Sequence, residues 1–302
     1  MRTLAAGLIG VFVLVMSGAA PVSAWGLDVH RLITQRAIEG LPADLRPFYL
    51  ARAAFVVEHS VDPDLWRVVG LKGERGDEDP NHFLDIDGLD EPRPFAKVPR
   101  DWEAYVARYG AERANRMGRL PWRIEEMYGL LVARFRDAAK PSSGYAAENA
   151  AYLSAVIAHY VEDAHVPFHA VLSYDGQATN QRGIHSRFES ELAWRNRATL
   201  KLAPVRIRPI PNVKAFVFER LVEGEALVDT ILAADRSAIA GREFYDAGYY
   251  AAFLKRARPV LERRVSEAAS GVASVIVAAW TEAGKPKMPA ARSASAPARI
   301  RR

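Results

Sequence analysis

Within eleven residues, His159 to His169, the chain sets out three side chains of strong metal-ligand type: His159, Asp163 and His169. His159 and Asp163 are four apart, so on a helix they leave the same face one turn from each other. Pro167 ends such a helix, and His169 follows as the chain turns away. A second i, i+4 pair, His185 and Glu189, comes shortly afterwards. Imidazole nitrogen with carboxylate oxygen is a zinc-type ligand set, and two pairs with an intervening histidine suggest more than one metal.

Two further clusters lie upstream. Residues 60–100, rich in Pro, Asp and Gly, contain Asp62-Pro63-Asp64 and then Asn81-His82-Phe83-Leu84-Asp85. The other cluster depends on processing. Residues 1–24 read as a secretory signal, with Arg2, an apolar core from Leu4 to Met16 and a small-residue cleavage site at Val22-Ser23-Ala24. Cleavage there makes Trp25 the first residue of an exported chain, periplasmic or secreted. A free α-amine has a pKa near ~8 and, once deprotonated, is a good zinc donor. Its own carbonyl can close a chelate, and His30 can add an imidazole from the first helical turn.

The elements that position these residues read as helices. Apolar residues recur at helical spacing over 28–40, 43–58, 101–109, 121–139, 146–164, 186–200, 212–236 and 257–280. The last has Pro259 at its start and Gly284 at its end. No period-2 run and no repeat emerges, so the expected fold is all-α: one multi-helix domain over 25–284 that carries a metal cleft. Residues 60–100 and 170–184 are the expected irregular connections.

Composition narrows the class. The 302-residue chain is half hydrophobic and has no cysteine, so an exported form must rely on packing, bound metal or both. The net charge is +5, but one surplus cation is Arg2 and six lie between Lys285 and Arg302, which leaves residues 25–284 at −2. The basic 285–302 segment therefore sets the high pI, and it reads as a disordered tail. A long nucleic-acid footprint is disfavoured by that balance. An HD-type phosphohydrolase needs an adjacent His-Asp pair, and a phosphate-binding P-loop needs Gly-x4-Gly-Lys-Ser/Thr; the chain has neither.

The order Trp25, His30, Asp64, His82, His159-x3-Asp163-x5-His169, His185-x3-Glu189 resembles one superfamily over most of residues 25–195. It contains the bacterial zinc-dependent phospholipases C and the fungal and plant single-strand-specific zinc nucleases. The resemblance implies a helical protein with three zinc ions in a cleft. Asp64, His82, His159 and Asp163 would hold one ion. Trp25, through amine and carbonyl, and His30 would hold a second, with Asp163 bridging the two. His169, His185 and Glu189 would hold the third. Asp64 is preferred to Asp62 as ligand, while His59 and His165 fall outside the pattern and read as structural, His165 also as a support for a ligand.

The branch is less sharply marked. The step from Trp25 to His30 and the Asp64-x-x-Arg67 spacing look like the nucleases, where a base at that place faces the substrate phosphate. Pro63-Asp64 and the Gly183–Glu189 run, ending in Glu, look like the phospholipases. The gap from Asp64 to His82 matches neither. Phe83 and Asp85 would be substrate-binding residues; in the nucleases the equivalents stack on and hydrogen-bond a base, and Phe83 reads equally as core. Such a site suits phosphoester hydrolysis: water between two zinc ions is acidified, the third ion neutralises the leaving oxygen, Asp64 orients the nucleophile and Arg67 binds non-bridging oxygens. The expected activity is that of an exported phosphodiesterase of the phospholipase C type. The alternatives are a single-strand nuclease or 3′-nucleotidase on the same site and a non-catalytic zinc-binding protein. The expected partner is a phospholipid head group or a short single-stranded nucleic acid or nucleotide, bound by a monomer.

Overall fold

A computed structural model of the protein describes residues 25–73, 76–140 and 145–290. The signal reading over 1–24 and the tail from 291 onward fall outside the described residues. The expectation of an all-α chain holds: the structure is 67% helix and 2% strand. In order the helices are α1 (Gly26–Glu39), α2 (Arg46–Leu50), α3 (Ala53–His59), α4 (Asp62–Val68), α5 (Trp102–Tyr109), α6 (Ala111–Met117), α7 (Leu120–Ala138), α8 (Ala146–Asp163), α9 (Ile184–Ser186), α10 (Ala193–Asn196), α11 (Val213–Glu225), α12 (Val228–Ile239) and α13 (Ala247–Glu282). A π-helical turn over Arg187–Leu192 joins α9 to α10. The only strands among the described residues, β1 (Lys72–Gly73) and β2 (Gly76–Asp77), form a small antiparallel hairpin.

The central helix is α8. From Ser154 to Asp163 every residue is buried, so this helix has no solvent face in its second half. It packs against α7, α3, α13 and α1. A helix enclosed all round is normally apolar, yet α8 buries Ser154, His159, Glu162 and Asp163. Polar groups at such depth cost free energy unless they are paired or hold a ligand.

Several expected boundaries are corrected. The element at 43–58 is two helices, α2 and α3. The region 60–100 is not wholly irregular: α4 opens with Asp62-Pro63, a first turn that suits proline and acidic residues, and the hairpin follows. The segment 212–236 breaks at Ala226–Leu227 into α11 and α12. Gly224, near that break, lets α11 press on the chain leaving α8, since a Cβ there would sit 3.3 Å from the Pro167 Cα. Pro259 does not start the last helix but lies inside α13. Asp246 caps that helix by accepting from the Tyr249 amide at 2.7 Å. The buried series Tyr249, Phe253, Ala257, Val260 and Leu261 carries the helix past the proline. Residues 285–290 lie against the body: Met288 is buried, and the Pro289 carbonyl accepts from Arg52 at 3.1 Å.

Candidate metal centre

Each expected ligand can be traced to the element that aims it. His159 and Asp163 end α8 and face the same side. Val166 lets the chain turn, and a 3-10 turn over Pro167–Ala170 returns His169 to that face. His82 leaves a 3-10 turn over Asp79–Asn81 and is pinned on both flanks. Beyond it the Leu84 amide donates to the His169 carbonyl at 3.0 Å, and before it the Pro80 carbonyl accepts from the Arg119 amide at 2.6 Å. Gly118 makes that approach possible: it has φ +102°, and a Cβ would fall 2.1 Å from the Phe83 carbonyl oxygen. α1 supplies His30, α4 supplies Asp64 and Arg67, and α9 with the π-turn supplies His185 and Glu189. A π-turn widens the helix locally, a common device where side chains must be re-aimed.

These side chains converge in three buried groups: His30, His159 and Asp163; Asp64, His82 and His159; and His169, His185 and Glu189. Within each group one potential ligand atom per residue lies within 4.8 Å of the others. Asp163 sits between groups. Its Oδ2 is 2.9 Å from His82 Nδ1 and 3.3 Å from His159 Nε2, while its Oδ1 is 3.6 Å from His30 Nε2. In the third group His185 Nε2 lies 2.9 Å and His169 Nε2 4.0 Å from Glu189 Oε2.

The imidazoles are oriented by their other nitrogen. His30 Nδ1 meets Glu162 Oε2 at 2.5 Å, His159 Nδ1 meets the Ser60 carbonyl at 2.9 Å and His169 Nδ1 meets the His82 carbonyl at 2.6 Å. Each leaves Nε2 facing the cluster, the usual way a ligand histidine is held. His30 Nε2, both ring nitrogens of His185 and Asp163 Oδ1 are buried and make no hydrogen bond. Buried polar atoms without partners are rare, and several in one place ask for an ion or a ligand.

Burial and mutual charge shift the groups of the cluster in both directions. Burial, then the neighbouring His159, lowers His30 to a pKa of about 3, and burial lowers His185 to about 4. Burial also lowers His169. A lowered pKa leaves these three rings a lone pair to donate; burial also opposes charge on His159, but Asp163 and Asp64 outweigh it and raise that ring. Burial opposes charge on Asp163, but His159 and His169 outweigh it and hold the carboxyl well below its usual range. Glu189 and Glu162 go the other way, raised by burial.

The remaining expected residues are placed as follows. Asp62 is not in the cluster; it meets His59 Nδ1 at 2.9 Å and the Tyr152 hydroxyl at 3.2 Å. Arg67 Nη2 lies 3.2 Å from Asp64 Oδ1. Arg67, Phe83, Asp85, Phe168, Tyr174 and the expected ligands His82, His169 and His185 line one cleft of about 540 Å³. Trp25 is fully buried with φ 37°, its indole donates to the Glu162 carbonyl at 2.9 Å, and its main-chain N–H faces Glu189. His165 turns away from the cluster, with Nδ1 on the Val161 carbonyl and its ring against Gly271 and Phe216. It supports no ligand.

Glu162 is the residue the sequence reading passed over. It takes His30 on one oxygen and the Thr34 hydroxyl, at 2.7 Å, on the other. The signal was present: a glutamate beside Asp163 in an apolar stretch, with His30 and Thr34 one turn apart on α1. Glu78 is a second such carboxylate, accepting from Asn81 and Tyr160 within 3.7 Å of His82 Nε2. No protein-family model matches the chain, and no curated protein matches it significantly.

Proposed function

We propose that the chain is a zinc-dependent phosphoester hydrolase of the phospholipase C type, active after export. What supports the reading is the convergence of pre-aimed imidazoles and buried carboxylates beside one cleft that is lined by His82, His169 and His185 and also contains an arginine. In this reading Asp64, His82, His159 and Asp163 would hold one zinc ion, His30 and Asp163 with the Trp25 amine and carbonyl would hold a second, and His169, His185 and Glu189 would hold a third. The donor set fits zinc: nitrogen and oxygen only, few enough per group to leave positions open. Bound zinc would supply Lewis acidity and an acidified water at neutral pH.

The chain's own groups supply the rest. Glu162 accepts from His30 Nδ1 and fixes that ring. In this reading Asp64, beside Arg67, would orient a nucleophilic water, and Arg67 on the cleft wall would bind the non-bridging oxygens of a phosphate. The buried position of the cluster excludes bulk water from the reacting atoms. Cleavage before Trp25 would be needed to create the amine donor, which keeps the precursor short of one ligand set.

A single-strand nuclease or 3′-nucleotidase is the second reading, favoured by Phe83 and Asp85 lining the same cleft. The test is a parallel assay of mature protein on phosphatidylcholine, single-stranded DNA and a 3′-nucleotide, each with zinc and with chelator. Chelator-sensitive hydrolysis of the lipid above the other two supports the proposal. Preference for the nucleic acid moves the activity to the nuclease branch, and inactivity on all three refutes it.

A further inference from the structure

We infer that the rim of the cleft is a docking surface for a zwitterionic phospholipid layer, an inference that rests on the phosphodiesterase reading and extends it to how substrate is presented. Helix α4 has two functional faces. Asp64 and Arg67 turn inward, whereas Leu65, Val68 and Val69, spaced i, i+3, i+4, form an apolar stripe on the outside. Leu71 extends the stripe toward the hairpin. Across the cleft stand Leu172 and Tyr174. These six side chains are between 44% and 77% exposed.

Position is what separates this stripe from scattered surface hydrophobics, which are ordinary. Six of the thirteen large exposed apolar side chains among the described residues fall in the two short segments 65–71 and 172–174. Each segment places one residue in the cleft lining, Val68 in the first and Tyr174 in the second. A head group reaching the cluster would therefore bring its neighbours in the layer against apolar side chains on both sides. Contiguous exposed apolar surface rimmed by polar groups marks an interaction site, and a tyrosine suits the boundary between head groups and acyl chains.

Charge selects the occupant. Among the described residues the cations of this rim are compensated: Arg67 by Asp64 at 3.2 Å and Asp79 at 3.7 Å, Lys72 by Asp77 at 3.2 Å. A polyanionic strand needs surplus positive charge along its track. A rim of balanced charge around exposed apolar groups complements a surface that is neutral overall and apolar beneath, as phosphatidylcholine is.

The test uses the mature protein and co-sedimentation with phosphatidylcholine vesicles. Val69 and Leu71 lie outside the cleft lining, so a Val69→Gln/Leu71→Gln variant leaves the site intact; Phe244→Gln, equally exposed but on the loop before α13, is the control. The expected result is vesicle binding insensitive to salt, weakened about tenfold or more in the double variant and unchanged in the control. Hydrolysis of a monomeric short-chain phosphodiester should be unaffected in the double variant while vesicle hydrolysis falls. Should the double variant fold poorly, Val69→Gln alone gives the same comparison. Equal vesicle binding by all three proteins overturns the inference. So does a dimer of the parent that the double variant loses, which would make the rim a contact between copies. If parent and variant differ in vesicle binding but neither hydrolyses any phosphodiester, the docking surface stands and the hydrolase reading falls.

Discussion

Two concavities of similar size flank the end of α8, and only one looks like a reaction site. The cleft over His82, His169 and His185 measures about 540 Å³. On the other side, a groove of about 580 Å³ runs between α13 and the extended chain 201–211, with His165 and Phe216 in its wall. The groove is a finished piece of packing. Ser266, Ser270 and Ser274, one turn apart on α13, accept from the amides of Ala203, Arg206 and Arg208 and hang the extended chain on the helix. Some of its charges pair with one another, as with Arg263 on Glu267 and Arg220 on Glu223, both at 2.8 Å, and no group of potential metal ligands gathers in it among the described residues. In the cleft, by contrast, buried nitrogens and a carboxylate oxygen lack hydrogen bonds. Volume does not distinguish the two; unsatisfied, convergent donors do.

The contrast can be broken most sharply at two residues separated by one on the chain. Asp163 faces the cleft and His165 the groove. Asp163→Asn should lower turnover by about 10³-fold or more and release two metal equivalents together, because a neutral amide cannot balance two dications. His165→Ala should leave turnover within about threefold of the parent, since it touches no ligand, though some stability is lost with the buried ring. Equal loss of activity in both variants would show that the ligand face of α8 is misassigned.

Metal removal comes next. Elemental analysis of gently purified mature protein should return three zinc ions, and chelation should lower the Tm by about 5 °C or more, because the ligands are buried in the packed core. The groove makes no such demand. A content of one ion or none would end the three-ion reading, and an unchanged Tm would show that the buried cluster does not depend on metal.

A smaller effect is expected from Glu162, which touches His30 rather than metal. Glu162→Gln should weaken binding of one zinc ion by about 10–100-fold, the usual consequence of losing the carboxylate behind a ligand histidine. The affinities of the other two ions should change little. Uniform weakening of all three in competition titrations would mean that Glu162 acts on the fold as a whole.

The smallest effect concerns the cleft floor. In metal-free protein burial, then Asp87, pushes Asp85 up to a pKa of about 8 from an ordinary 3.8. The folded form keeps a proton that the unfolded chain releases, so this carboxyl's contribution is full below about pH 4 and is lost as pH rises through about 8. Asp85→Asn cannot ionise. Relative to the parent its Tm should be unchanged at pH 4 and higher by about 2–4 °C at pH 8.5. A difference that is flat across that range would mean Asp85 is solvated as in the unfolded chain.

Much of the candidate site was legible in the residues because its candidate ligands obey local geometry. The i, i+4 spacing of His159 and Asp163, and of His185 and Glu189, places each pair on one face whatever the rest of the chain does, and the helical class follows from apolar periodicity. What local pattern could not decide was length and depth. Pro259 looked like a helix start because its cost is local, but Asp246 and a buried stripe on both sides of it outweigh that cost. Asp62 and Asp64 are the same residue type two apart, and only the resemblance preferred Asp64; the turn of α4 sends Asp62 to His59 and Asp64 to the cluster. Glu162 was one acid among many until α1 crossed α8 and brought His30 and Thr34 to its two oxygens. Residue type and spacing determined what could coordinate. Which atoms are buried, paired and aimed was decided only by the packing of helices far apart in the chain, because desolvation and orientation are properties of the assembled core.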